Sequence, residues 1–185
     1  MSKSRKRAEN NIDFDAEEIA GEEQLARLLC SPQYYDIERD IVNNDAFDLR
    51  ILKSGVKEQF VSLGRLKFMP TEKDLDAYLT LGERIKWPDH DPKNVFSAYG
   101  EFNCGDAREV HDMVRIHPLK GDNKKHIGLF YAKHDGGYFE GPLPKTDTDV
   151  LEVLSDLADL VSVRQPTADF SDDHPGISAI TTHLS

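Results

Sequence analysis

Cysteine is almost absent, with Cys30 and Cys104 the only two in 185 residues. Two thiols exclude a disulfide-stapled scaffold and a cysteine-built zinc site, and they suit a reducing compartment, so a cytoplasmic protein is expected. No apolar run approaches the roughly twenty residues of a membrane span. No apolar stretch follows the basic first seven residues, as a secretory signal would require. Also missing are a Gly-x-Ser-x-Gly elbow, a Gly-rich phosphate loop followed by lysine and a Cys-x-x-Cys pair. No cofactor is implied.

Positive charge is scarce as well. The chain carries 23 Lys and Arg against 34 Asp and Glu, a formal charge of -11. Four of those bases, Lys3, Arg5, Lys6 and Arg7, crowd into the first seven residues, where there is no acid. Residues 8 to 185 therefore hold 19 bases against 34 acids, or -15. Nucleic-acid affinity comes largely from Lys and Arg displacing counterions, so a body this acidic argues against general nucleic-acid binding. The basic tail reads as a solvated segment, with a nuclear import signal as the alternative. A DNA mimic is a further, smaller possibility, although the acids are spread along the chain.

Hydrophobic residues make up 38% of the chain, the level of an ordinary globular protein. At this length a single domain buries enough apolar surface to stand without staples. Glu9 to Glu23 holds seven acids and no base, and residues 1 to 15 are expected to be disordered. A helix is predicted over Ala16 to Cys30, with Ile19, Leu25, Leu28 and Leu29 as its apolar stripe and Ser31-Pro32 as its stop. Phe47, Leu49 and Ile51 alternate with polar residues, the period of a half-buried strand. EQFVSLG and RLKFM read as short strands, or as one strand bent at Gly64.

From Thr71 a helical pattern runs to Pro88, with Thr71 and Asp74 placed for a capping box. NVFSAYGEF reads as a strand and DAREVHDMVRI as a helix capped by Asp106 and Glu109. HIGLFYA and GYFE flank Lys133-His134-Asp135-Gly136-Gly137, and Asp-Gly is the preferred chemistry of a tight hairpin turn. Asp147 and Asp149 favour a helix start before VLEVLSDLADLVSVR, whose broad apolar surface suggests burial on more than one side and whose end Arg164 suits. Residues 165 to 185 read as a flexible tail. The expectation is one α+β domain over 16 to 164, a mixed or mainly antiparallel sheet with about four helices packed on it.

One stretch, residues 101 to 140, holds Cys104 and four of the seven histidines. Cys104 lies close to a predicted helix start, where the helix dipole favours a thiolate, and His126 opens a strand. HIGLFYAKHDGGYF resembles the histidine strand and hairpin of bacterial cell-wall endopeptidases, and NCGDA resembles the cysteine turn of papain-fold glutamine deamidases. The resemblance implies a papain-like cysteine hydrolase or deamidase with Cys104 as nucleophile and His126 as base. It covers about 40 residues; no carboxylate or amide lies opposite His126 across the hairpin, and the sequence names no more distant acid for the third position of a triad. Strand alternation puts Ile127, Leu129 and Tyr131 on the core face and His126, Gly128 and Phe130 on the other.

The preferred reading is that both are structural, Cys104 a small partly buried residue and His126 a strand-end surface residue. Zinc is disfavoured, because His111 and His117 are six apart with Pro118 beyond, and Asp89, His90 and Asp91 are consecutive in a proline-bounded loop. Adjacent aromatics beside turn residues, Tyr34 with Tyr35 and Tyr138 with Phe139, are candidate contacts for a partner. The resulting functional expectation is a small acidic regulator, adaptor, inhibitor or immunity-type protein that binds a basic protein surface.

Overall fold

The computed structural model describes Phe14 and residues 17–52, 54–84, 93–120 and 124–165. The basic tail at Lys3, Arg5, Lys6 and Arg7, the Asp89-His90-Asp91 run and residues 166–185 lie outside the described residues. The fold is α+β. A six-stranded antiparallel sheet runs β6-β7-β4-β1-β5-β8, built from β1 (Gln24–Ser31), β4 (Val61–Arg65), β5 (Val95–Asn103), β6 (Val114–His117), β7 (His126–Tyr131) and β8 (Ser162–Arg164). β2 (Tyr35–Asp36) and β3 (Ile41–Val42) form a separate two-stranded ladder. Three α-helices are seen among the described residues, α1 (Glu72–Arg84), α2 (Cys104–Glu109) and α3 (Thr148–Asp159), rather than about four. None is long and apolar enough to cross a membrane.

The first predicted helix is a strand. β1 occupies the middle of the sheet, and Leu25 to Cys30 are all buried. A strand covered on both faces shows no alternation, so its apolar run also satisfies a helical stripe. Its lead-in is fixed by Gly21, whose carbonyl accepts from the Gly105 amide at 2.8 Å. A Cβ on Gly105 would lie 3.1 Å from the Gly21 carbonyl oxygen and 3.2 Å from its Cα, so the close approach of the two backbones favours glycine at position 105.

The expected strand at Phe47 to Ile51 is also absent as a strand, leaving an isolated bridge between Ile51 and Lys57. Asp48 is turned inward with its neighbours and accepts hydrogen bonds from the Leu49 and Leu143 amides, so apparent alternation reflects a tied-down loop. β4 runs unbroken through Gly64, and RLKFM ends in a 3-10 turn over Leu66–Phe68. α2 begins at Cys104 and stops at Glu109, with Asn103 rather than Asp106 at the cap position. The following residues Val114–His117 form edge strand β6, because pairing with β7 offers them a partner that an isolated helix end lacks.

Other local signals match the fold. Thr71 Oγ1 accepts from the Asp74 amide at 3.2 Å and donates to its carboxylate at 2.6 Å, which starts α1. Asp147 caps α3 by accepting from the Asp149 amide at 3.1 Å, but the helix ends at Asp159, and Ser162–Arg164, expected as its last turn, instead pair with β5 as edge strand β8. Gly136 holds the turn after β7 with φ of 88°, but GYFE forms no second strand and meets Ala132 only through an isolated bridge at Tyr138. The main core gathers Leu25, Leu29, Leu63, Ile127, Leu129 and Tyr131 from the sheet with Val150, Leu154 and Leu157 from α3.

Two buried arginines divide the interior. Arg65 is fully buried and holds Glu23 through Nε at 2.6 Å and Glu17 through Nη2 at 2.7 Å, while Lys67 reaches Glu23 at 2.6 Å. Each carboxylate takes two bonds from the guanidinium fork, the geometry that best offsets desolvation. Arg27, at 7% exposure, is held quite differently.

Candidate functional site

Cys104 and His126 are not brought together. In register, His126 pairs with Gly64, Gly64 with Ala26 and Ala26 with Glu101, so β4 and β1 stand between β7 and β5. Three strand steps of roughly 4.8 Å put β7 about 14 Å from β5, well beyond hydrogen-bond reach. Cys104 continues from β5, is fully buried, and burial pushes its thiol pKa up. A buried neutral thiol is a poor nucleophile. His126 Nε2 instead lies 2.6 Å from Ser62 Oγ on β4, and its ring tilts against Phe60 with centroids 5.9 Å apart.

The strand faces follow the alternation, but the outer face is not open. Phe130 is fully buried there, packed against Phe14 at 5.1 Å, Phe60 at 5.3 Å and Tyr138 at 5.4 Å between ring centroids. Its ring belongs to a second cluster, apart from the main core. Tyr138 is thereby half-buried in aromatic packing, and Phe139 is half-buried under Lys133, whose ammonium sits 5.4 Å from the ring centre. Tyr34 and Tyr35 are buried, at 0% and 1% exposure. Tyr35 donates to Asp40 at 2.6 Å. None of the four aromatics stands out as a free loop anchor. Exposed apolar side chains lie elsewhere, at Ile51, Leu52 and Val56 around the tight turn of the 50–58 hairpin, which Arg50 and Glu58 clasp by an ion pair.

A cavity lies where β1 parts from β4. Their ladder is limited to Leu25 with Arg65 and Ala26 with Gly64, whereas β1 pairs with β5 along its whole length. Beyond Ala26 the side chain of Arg27 takes over, donating from Nη1 to the Ser62 carbonyl at 3.0 Å and from Nε to the Ala46 carbonyl at 2.9 Å. α1 covers the gap. Tyr78 donates to the Ala26 carbonyl at 3.0 Å, and Gly64 leaves room for its ring, since a Cβ there would lie 2.8 Å from it. The cavity's volume is about 400 Å³, and it is partly open to solvent.

No family model matches the chain, and no curated protein or solved structure matches it. The chemistry of its surfaces has to stand on its own. The cavity joins an apolar wall of Leu28, Ala77 and Leu81 to a polar side carrying Arg27, Arg50, Lys125, His126 and Asp74. Lys125 is paired with Asp74 at 2.6 Å. On an acidic protein, this concentration of cations is unusual. Sequence reading passed over Arg27, yet a signal was present: an arginine in the middle of Leu25-Ala26-Arg27-Leu28-Leu29-Cys30 must either leave the core or be supplied with partners inside it.

The second surface of note is the outer side of α3. Asp149, Glu152, Asp156 and Asp159 are all exposed, spaced by three and four residues, while Val150, Val153, Leu154 and Leu157 are buried. Residues 146 to 163 contain no Lys or Arg. None of these four acids makes an ion pair among the described residues. The stripe extends about 15 Å along the helix at 1.5 Å per residue.

Proposed function

We propose that the protein acts by binding another protein and that the outer face of α3 presents its acids to a basic surface of that partner. The α3 stripe carries the reading. Like charges three or four residues apart cost a helix about 0.2–0.5 kcal/mol per pair, and a basic partner relieves that repulsion. Four carboxylates on one rigid face also raise the encounter rate with a cation-rich surface at low salt. Leu151, 41% exposed beside them, adds apolar contact. The hairpin residues Ile51, Leu52 and Val56 offer the contact area that the buried tyrosines do not.

The test pairs the natural chain with a variant carrying Asp149→Lys, Glu152→Lys, Asp156→Lys and Asp159→Lys. Partners are captured from a cell extract, and each captured protein is purified and titrated against both forms across a salt series. The reading requires a basic partner whose affinity falls as salt rises and is lost with charge reversal. Equal affinity for both forms, or indifference to salt, defeats it.

A further inference from the structure

We propose that the cavity between β1, β4 and α1 binds a small organic acid as its carboxylate anion, with Arg27 clamping the carboxylate and the apolar wall of α1 holding the rest of the molecule. Arg27 is 7% exposed, yet it has no carboxylate partner among the described residues. Its two carbonyl partners use two of the five N–H groups of a guanidinium, and its carbon lies 5.2 Å from the Tyr34 ring centre. The other N–H groups, both on Nη2 among them, make no hydrogen bond among the described residues. A buried cation without a counter-ion is costly. The same chain gives Arg65 two carboxylates, so Arg27 stands out by comparison.

An anion entering the cavity supplies the missing counter-ion. Arg50 is already paired with Glu58 and Lys125 with Asp74, which leaves Arg27 as the cation without a carboxylate and one net positive charge among the described residues of the site. That balance selects a monoanion over a phosphate dianion. The guanidinium fork fits a planar carboxylate with two parallel hydrogen bonds. Leu28, Ala77 and Leu81 give an apolar seat, and about 400 Å³ falls at the small end of ligand sites. α3 contributes none of the lining, so this inference is independent of partner binding.

Calorimetric titration of the full chain tests it with hexanoate and phenylacetate, with hexanamide and phenylacetamide, with inorganic phosphate, and with acetyl-Gly-Gly-Leu bearing a free carboxylate. The acids bind at millimolar concentration or better, and the amides and phosphate do not. Arg27→Gln weakens the acids on the order of tenfold or more, as expected for loss of charge-assisted hydrogen bonds. Leu81→Asp, at a position 52% exposed, brings negative charge to the cavity and weakens the acids several-fold without touching Arg27. If Arg27→Gln does not fold by circular dichroism, Leu81→Asp decides. The proposal falls if neither acid binds, if amides or phosphate bind as well as the acids, or if the folded variants bind like the natural chain. Tighter binding of the peptide than of the free acids also overturns it, by assigning the carboxylate to a chain end.

Discussion

Replacing Glu23 by glutamine keeps the shape of the side chain and removes one charge from the cluster around Arg65. Arg65 is fully buried, and the Glu23 side chain is 2% exposed. Removing one partner of a buried ion pair typically costs about 3–5 kcal/mol, because the remaining charge stays desolvated. Here Glu17 still holds Arg65 at 2.7 and 3.0 Å, and the new amide oxygen still accepts one hydrogen bond. The expected loss is therefore below that range, about 2–3 kcal/mol. Glu17→Gln is the control, since that side chain is 38% exposed and an exposed pair contributes about 0.2–1 kcal/mol.

Urea unfolding followed by circular dichroism reads both variants. At a slope of about 2–3 kcal/mol per molar, Glu23→Gln lowers the midpoint by roughly 1 M, and Glu17→Gln by a few tenths. The acid limb gives a second readout. The Arg65 hydrogen bond holds the Glu17 carboxyl at about 2, below the ordinary 4.5. Burial pushes Glu23 upward, but hydrogen bonds from Arg65 and Lys67 outweigh it and keep that carboxyl low as well. Carboxylates whose folded pKa is lowered stabilise fully above the unfolded value and lose that contribution as pH falls through the folded one. The natural chain thus loses stability from about pH 4.5 toward 2, and each variant loses less over that range. A Glu23→Gln midpoint shift no larger than that of Glu17→Gln refutes the reasoning.

Phe130→Ala empties the centre of the outer aromatic cluster and should cost about 3–5 kcal/mol by the same urea measurement; a loss under about 1 kcal/mol would mean that Phe14, Phe60 and Tyr138 do not cover it. Gly100→Ala places a Cβ 2.2 Å from Val161 Cγ1 and should destabilise by about 1–3 kcal/mol, with partial recovery when Val161→Ala is added; the absence of recovery would locate the strain elsewhere. In a Cys30→Ser background, Cys104 should alkylate slowly in the folded chain, at a rate unchanged by His126→Ala and raised only by denaturant. Fast native alkylation that slows without His126 would restore the Cys-His pairing.

Local chemistry was legible wherever it needed only neighbours in sequence. Thr71 with Asp74 and Asp147 with Asp149 announce helix starts because the capping partners lie two or three residues apart. Gly136 marks its turn through the positive φ that glycine accepts without strain. Residues 24 to 31 were misread because a central strand and a buried helix are both continuous apolar runs. Asp106 was misplaced as a cap because α2 starts two residues earlier, where the Cys104 amide is bound to the Glu23 carbonyl at 3.0 Å.

The sequence by itself determined the α+β class, the acidic balance and the face on which each residue of β7 lies. All of these follow from composition or from the short periods of strand and helix. Only the tertiary structure decided that β4 and β1 separate His126 from Cys104, that Phe130 is covered on its outer side, and that Arg27 is buried beside a cavity with no carboxylate bonded to it among the described residues. Each depends on which strands become neighbours. That choice is made by contacts between residues dozens of positions apart, such as Arg27 with Ser62 and Arg65 with Glu23. No local pattern records those contacts, because their stabilisation appears only once distant segments have been brought together.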